Sequence, residues 1–125
     1  MRTLFIIVLV TLSVGCSSRH ALHRHLDTAY KQYELGDCGQ VMLELSQAER
    51  RSWPRDNLQP EISLLRGQCL ERQGLFVDAA QTYQFIQSRY PASEYAFRSR
   101  ARLETLRQLG HYQPEERVVI HAVKP

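Results

Sequence analysis

The sequence predicts an all-α protein, and three observations carry that expectation. After the first residues the chain is rich in Leu, Ala, Gln, Glu and Arg, while β-branched runs of the kind that make strands are scarce. Apolar residues recur three and four positions apart, the spacing that puts them on one face of a helix. Gly36, Pro54, Gly74, Pro91 and Gly110 break the chain into segments of helix length. The architecture expected is a short helical solenoid of about five helices, preceded by an N-terminal targeting segment.

That segment comes first. Arg2 supplies a positive start, Leu4 to Leu12 is an almost unbroken apolar run, and Ser13, Val14 and Gly15 lead into Cys16. A small residue before the cut is what a signal peptidase requires, and Gly15 meets it. A membrane-spanning helix needs roughly 20 apolar residues, and the polar Ser17-Ser18-Arg19-His20 stretch arrives too soon. A plain secretory signal with a chance cysteine at its end is the other alternative. The segment resembles the lipobox of bacterial lipoproteins, with Ser13 where Leu is commonest. The resemblance implies a lipoprotein signal peptide over residues 1–15 and a covalent lipid on the Cys16 thiol, with no other cofactor. One acyl chain holds a protein only marginally, and the several chains of a processed lipoprotein hold it stably. Ser17, in place of the Asp that retains such proteins on the inner membrane, implies an outer-membrane anchor facing the periplasm. Residues 16–25 read as the lipidated N-terminus and tether.

Five helices follow. The first runs from about Ala21 to Leu35 and stops at Gly36, a residue suited to the left-handed turn past a helix end. The second spans about Cys38 to Arg51, before Trp53-Pro54, where Trp53 reads as a staple between units or as a binding residue. Pro60 suits the first turn of the third, which ends at Gly74. The fourth covers about Phe76 to Tyr90, before Pro91. Ser93 is placed to cap the fifth, which ends at Gly110. Residues 26–110 form the domain, and residues 111–125 form a tail with one apolar patch, Val118-Val119-Ile120. Such a patch pairs with a partner as an edge strand, packs back on the last helix, or stays disordered, the default for a short terminus.

The helices repeat as pairs. Leu26 aligns with Leu64, Ala29 with Gly67, Gly36 with Gly74, Val41 with Ala79, Leu45 with Tyr83, and Ala48 with Ile86. Gly67, Leu70, Gly74, Phe76, Ala79, Tyr83 and Pro91 fall at the spacing of a tetratricopeptide repeat, which the second unit resembles well. The first unit keeps Ala29, Gly36 and Ala48 but has Cys38 and Val41 where an aromatic and Ala are usual. Ala101 continues the pattern into a further first helix. The excess over the ~34-residue period fits within the Trp53–Gln59 loop. The stretch Tyr90-Pro91-Ala92-Ser93-Glu94-Tyr95-Ala96 is similar to repeats of periplasmic lipoproteins and coordinators of the BamD and CpoB types.

The resemblance implies a concave groove lined by the first helix of each pair. On these residues the groove shows Tyr30 and Tyr33, then Gln68, Glu71 and Arg72, then Tyr95, Arg98 and Arg102. Tyrosines give rigid contact area and arginines pair with carboxylates, so a peptide-binding face is implied. The same residues also suit ordinary solvated faces, with Glu94–Arg98 and Arg100–Glu104 as supporting helix pairs. The function expected is a membrane-anchored adaptor that binds an envelope protein partner. The alternative is a module binding peptidoglycan or an acidic polysaccharide through the basic last helix.

With Cys16 lipidated, Cys38 and Cys69 remain as an even pair in an oxidising compartment, disulfide-bonded or two buried thiols. Lys and Arg number 16 against 13 Asp and Glu, too small an excess to point to nucleic acid. No phosphate loop, nucleophile elbow, paired-carboxylate constellation or CxxC occurs, so neither an enzyme nor a small-molecule substrate is expected. His20, His23 and His25 cluster in the tether, where a polar spacer accounts for them better than a metal site.

Overall fold

The computed structural model describes residues 19–52 and 56–114. Cys16 and the targeting segment, Trp53, and the Val118-Val119-Ile120 patch lie outside them. The described residues form helices joined by short turns, without strands. The helices are α1 (residues 19–34), α2 (Cys38–Ser52), α3 (Gln59–Arg72), α4 (Phe76–Arg89) and α5 (Glu94–Gln108), with a 3-10 turn at Asp56–Leu58. Among the described residues no helix is long and apolar enough to cross a membrane.

Each helix has a local reason to stop. Gly36 and Gly74 adopt φ of 82° and 75°, where a Cβ would collide with the following carbonyl. In both turns the amide after the glycine reaches back five residues. Asp37 N donates to Gln32 O at 3.0 Å, and Leu75 N to Leu70 O at 2.9 Å, closing the last carbonyls of the helix. At α5 the start is capped instead: Ser93 Oγ accepts from Ala96 N at 3.1 Å. These turns fold the chain into hairpins α1–α2 and α3–α4, with α5 against α4.

Packing divides the apolar residues into two clusters that share α3. Leu22, Leu26 and Ala29 of α1 meet Val41, Leu45 and Ala48 of α2 and Ile62, Leu65 and Cys69 of α3. On its other side α3 sends Leu64 to Ala79, Tyr83 and Ile86 of α4 and to Ala96 and Leu106 of α5. The central helix therefore has apolar residues on two faces, while its neighbours bury one. Five of the six residue pairs equated by the internal alignment are buried, and the sixth, Gly36 and Gly74, stands exposed in the turns. The smallest buried pair, Ala29 and Gly67, explains itself: a Cβ on Gly67 would stand 2.5 Å from Tyr83 Cε1, so α3 and α4 approach across a bare backbone.

Cys38 at the start of α2 and Cys69 near the end of α3 form a disulfide, with Cα atoms 5.4 Å apart and both residues buried. It ties the first hairpin to the second.

Three details differ from the sequence expectation. Helix α1 begins at residue 19, ahead of the expected start near Ala21, so the stretch 19–25 assigned to the tether is helical, and Leu22 is buried in the core. The cause lies in the sequence, where Leu22, Leu26, Ala29 and Tyr33 form one continuous stripe at helix spacing. At the other end the first residues of the tail are packed. His111 stacks on Phe76 with ring centroids 3.8 Å apart, and Gln84 donates to the Tyr112 hydroxyl at 2.6 Å. Glu104 takes Arg107 and Gln108 as its partners rather than Arg100, since Arg107 reaches both carboxylate oxygens. Ala101 is exposed. Its counterpart Gly67 is covered by α4, and no described helix stands in that position beside α5.

Candidate functional site

Helix spacing puts the candidate residues on three aligned faces. Tyr30 and Tyr33 stand one turn apart on α1, Gln68, Glu71 and Arg72 on α3, and Tyr95, Arg98 and Arg102 on α5. Contacts between the helices join these faces, with α3 in the middle. The Tyr30 hydroxyl donates to Glu61 Oε1 of α3 at 2.8 Å. The Arg72 guanidinium lies 3.5 Å from the centre of the Tyr33 ring and donates to the Tyr33 carbonyl. From α5, Arg102 Nε donates to Glu71 Oε1 at 3.0 Å, and its terminal nitrogen pairs with the second carboxylate oxygen. Tyr33, Gln68, Glu71, Arg72 and Arg102 line a cleft of about 250 Å³.

The chemistry beneath that cleft is closed on itself. Glu71 accepts from Arg102 and also from the hydroxyl of buried Tyr83, at 2.6 Å. Burial and then this carboxylate push the Tyr83 phenol well above its ordinary range. The hydrogen bond to Glu71 likewise holds Arg102 charged. Arg98 pairs with Glu94 at 3.4 Å and lies 5.6 Å from the centre of the Tyr95 ring. Burial, followed by the Glu61 carboxylate, raises the Tyr95 phenol to about 12. Tyr30 is raised further by the same two causes in the same order.

Two features escaped the sequence reading. Glu61 belongs to this face, and its position seven residues before Gln68, two helical turns, was the available signal. The other is a second cleft of about 400 Å³ between α2, α3 and α4, where Glu49, Gln59, Arg66, Asp78 and Phe85 stand on the wall. There Arg66 and the Gln59 amide both donate to Glu49, at 2.9 and 2.7 Å. Against the cost of burial, these two bonds lower the Glu49 carboxyl below its ordinary value.

Among the described residues no group of three His, Cys, Asp or Glu side chains is placed to hold a metal ion. His25 instead pairs with Glu44 of α2, Nδ1 to Oε2 at 2.6 Å. Comparison with protein families, with curated proteins and with solved structures finds no match.

Proposed function

We propose that this chain is a lipid-anchored adaptor of the bacterial envelope, a short tetratricopeptide-like solenoid that binds a protein partner on its α1–α3–α5 face. The observation that supports it best is convergence. Eight side chains spread from Tyr30 to Arg102 stand on the facing sides of three helices, four of them at the rim of one cleft with Gln68 between. Tyrosines and arginines of this kind supply binding energy without covalent chemistry. The uncovered flank of α5, where Phe97 is exposed, offers a further contact surface. The lipobox-like segment ending at Cys16 supplies the anchor, by which a small domain is held at the outer membrane and presents its face to the periplasm.

A polysaccharide-binding reading finds less support. It needs the arginines of α5 to offer their charge outward, and Arg98, Arg102 and Arg107 each share theirs with a carboxylate, which leaves Arg100 as the one arginine of α5 with no ion pair among the described residues.

The test has two arms. Metabolic labelling with a fatty acid should mark the wild-type chain and not Cys16→Ala. In the cell, a photo-crosslinking residue at Tyr33 should capture one discrete protein, and the same probe at the solvent-facing Leu43 of α2 should not. Equal capture from both positions, or none from Tyr33, would sink the adaptor reading.

A further inference from the structure

The cationic groups of the α1–α3–α5 face are largely committed. Arg102 is bound to Glu71, Arg98 pairs with Glu94, and Arg72 lies on the Tyr33 ring and carbonyl. Glu71 is correspondingly neutralised. Glu61 is different: among the described residues no Lys, Arg or His forms an ion pair with it. Its hydrogen-bond donor is the Tyr30 hydroxyl, a neutral group, at 2.8 Å. The carboxylate is thus held in position from the side, with no ion pair to a cation among the described residues.

We propose that Glu61, flanked by Tyr30 and Tyr95, receives a lysine or arginine side chain from the bound partner segment. This rests on the adaptor reading and adds to it the sign of the charge that the partner must bring. Three physical arguments carry it. A hydroxyl that donates to a carboxylate leaves its ring richer in electron density, and such a ring attracts a cation to its face. A basic side chain suits the shape as well, since its apolar stem can lie along the tyrosines while the charged head reaches Glu61. An acidic side chain would meet the Glu61 charge and find the Tyr30 hydroxyl already engaged. Tyr30 remains 38% exposed, so the site is open to an incoming chain. The raised Tyr30 and Tyr95 phenols keep their protons at neutral pH, so neither tyrosine adds a competing negative charge.

The face therefore selects in the opposite sense from the one its arginines suggest. It accepts a basic segment, although three arginines stand on it.

The experiment uses the full-length chain in cells, with the photo-crosslinker at Tyr33, and maps the partner segment by mass spectrometry of the crosslinked peptide. A Lys or Arg is expected within a few residues of the crosslink. Glu61→Gln, which keeps the size and removes the charge, should lower capture at least fivefold. Glu61→Lys should abolish capture, and changing the mapped basic residue of the partner to Glu should restore it. Thermal unfolding of each variant serves as the folding control, and Glu61→Asp, which keeps the charge, should retain capture. Undiminished capture by a folded Glu61→Gln chain, or a mapped segment without Lys or Arg, would overturn the inference and leave the adaptor reading standing. Failure of the wild-type chain to capture any partner would overturn both.

Discussion

At the level of single residues, the close approach of α3 and α4 depends on one missing side chain. A methyl group at Gly67 would press into the Tyr83 ring, and that ring has no room to retreat. It is fully buried, and its hydroxyl is bound to Glu71. Gly67→Ala should therefore destabilise the fold by about 1–3 kcal/mol, the usual cost of overpacking, read as a lower urea midpoint. It should do so despite the higher helix propensity of alanine. Glu71 offers a second comparison. Its side chain is 11% exposed and depends on two donors of unequal weight. Tyr83→Phe removes the neutral one and should cost about 1 kcal/mol. Arg102→Met removes the countercharge from a nearly buried carboxylate and should cost more, about 2–3 kcal/mol. Equal losses would show that solvent reaches Glu71 and replaces the arginine.

Among the elements, α2 and α3 are joined by an electrostatic contact with a predictable pH response. Glu49 of α2 accepts from Arg66 and Gln59 of α3, and its carboxyl titrates below the ordinary value of 4.5. A carboxyl depressed in the folded state binds its proton more readily in the unfolded chain. Its contribution to stability is present above about 4.5 and disappears as pH falls through the depressed folded value. The pair is partly exposed, so the effect is screened and small. Wild-type protein should lose stability between neutral and strongly acidic pH more steeply than Glu49→Gln. Denaturant midpoints measured across that range would detect the difference, and parallel curves would show that the contact contributes nothing. The same helices carry the site. Because α3 is packed on two sides, it is the element least able to shift, and it holds Glu61, Gln68, Glu71 and Arg72 in fixed relation.

For the whole molecule, a chain of this size has a thin core, and one covalent link crosses it. The Cys38–Cys69 disulfide encloses a separation of 31 residues and joins the first hairpin to the second. Closing a loop of that length removes chain entropy from the unfolded state worth about 3–4 kcal/mol. Reduction under native conditions should be slow, because both cysteines are buried. Unfolding in the presence of a reductant should give a midpoint lowered by a corresponding amount. A midpoint unchanged by reduction would mean that the two clusters hold each other without the link. Beyond α5 the described packing ends with an exposed face that includes Phe97 and Ala101.

What was legible in the amino-acid order is what short-range physics governs. Helix ends follow from Gly36, Gly74 and Ser93, whose conformational and capping preferences act within a few residues. Buried faces follow from apolar spacing, which is why the apolar pairs Leu26/Leu64, Val41/Ala79, Leu45/Tyr83 and Ala48/Ile86 all lie inside. Leu22 obeys the same rule, and its burial carries the helix into the stretch assigned to the tether. The gathering of Tyr30, Tyr33, Glu71 and Arg102 onto adjoining faces could be expected from helical spacing and the resemblance to a repeat. Their partnerships could not. Tyr30 meets Glu61 and Glu71 meets Arg102, each across 31 positions, and Arg72 reaches Tyr33 across 39. Long polar side chains have several reachable partners, and helical periodicity specifies a face without specifying a neighbour. Packing of α3 between α1 and α5 decides which charges cancel, pairing Arg102 with Glu71 while Glu61 forms no ion pair among the described residues.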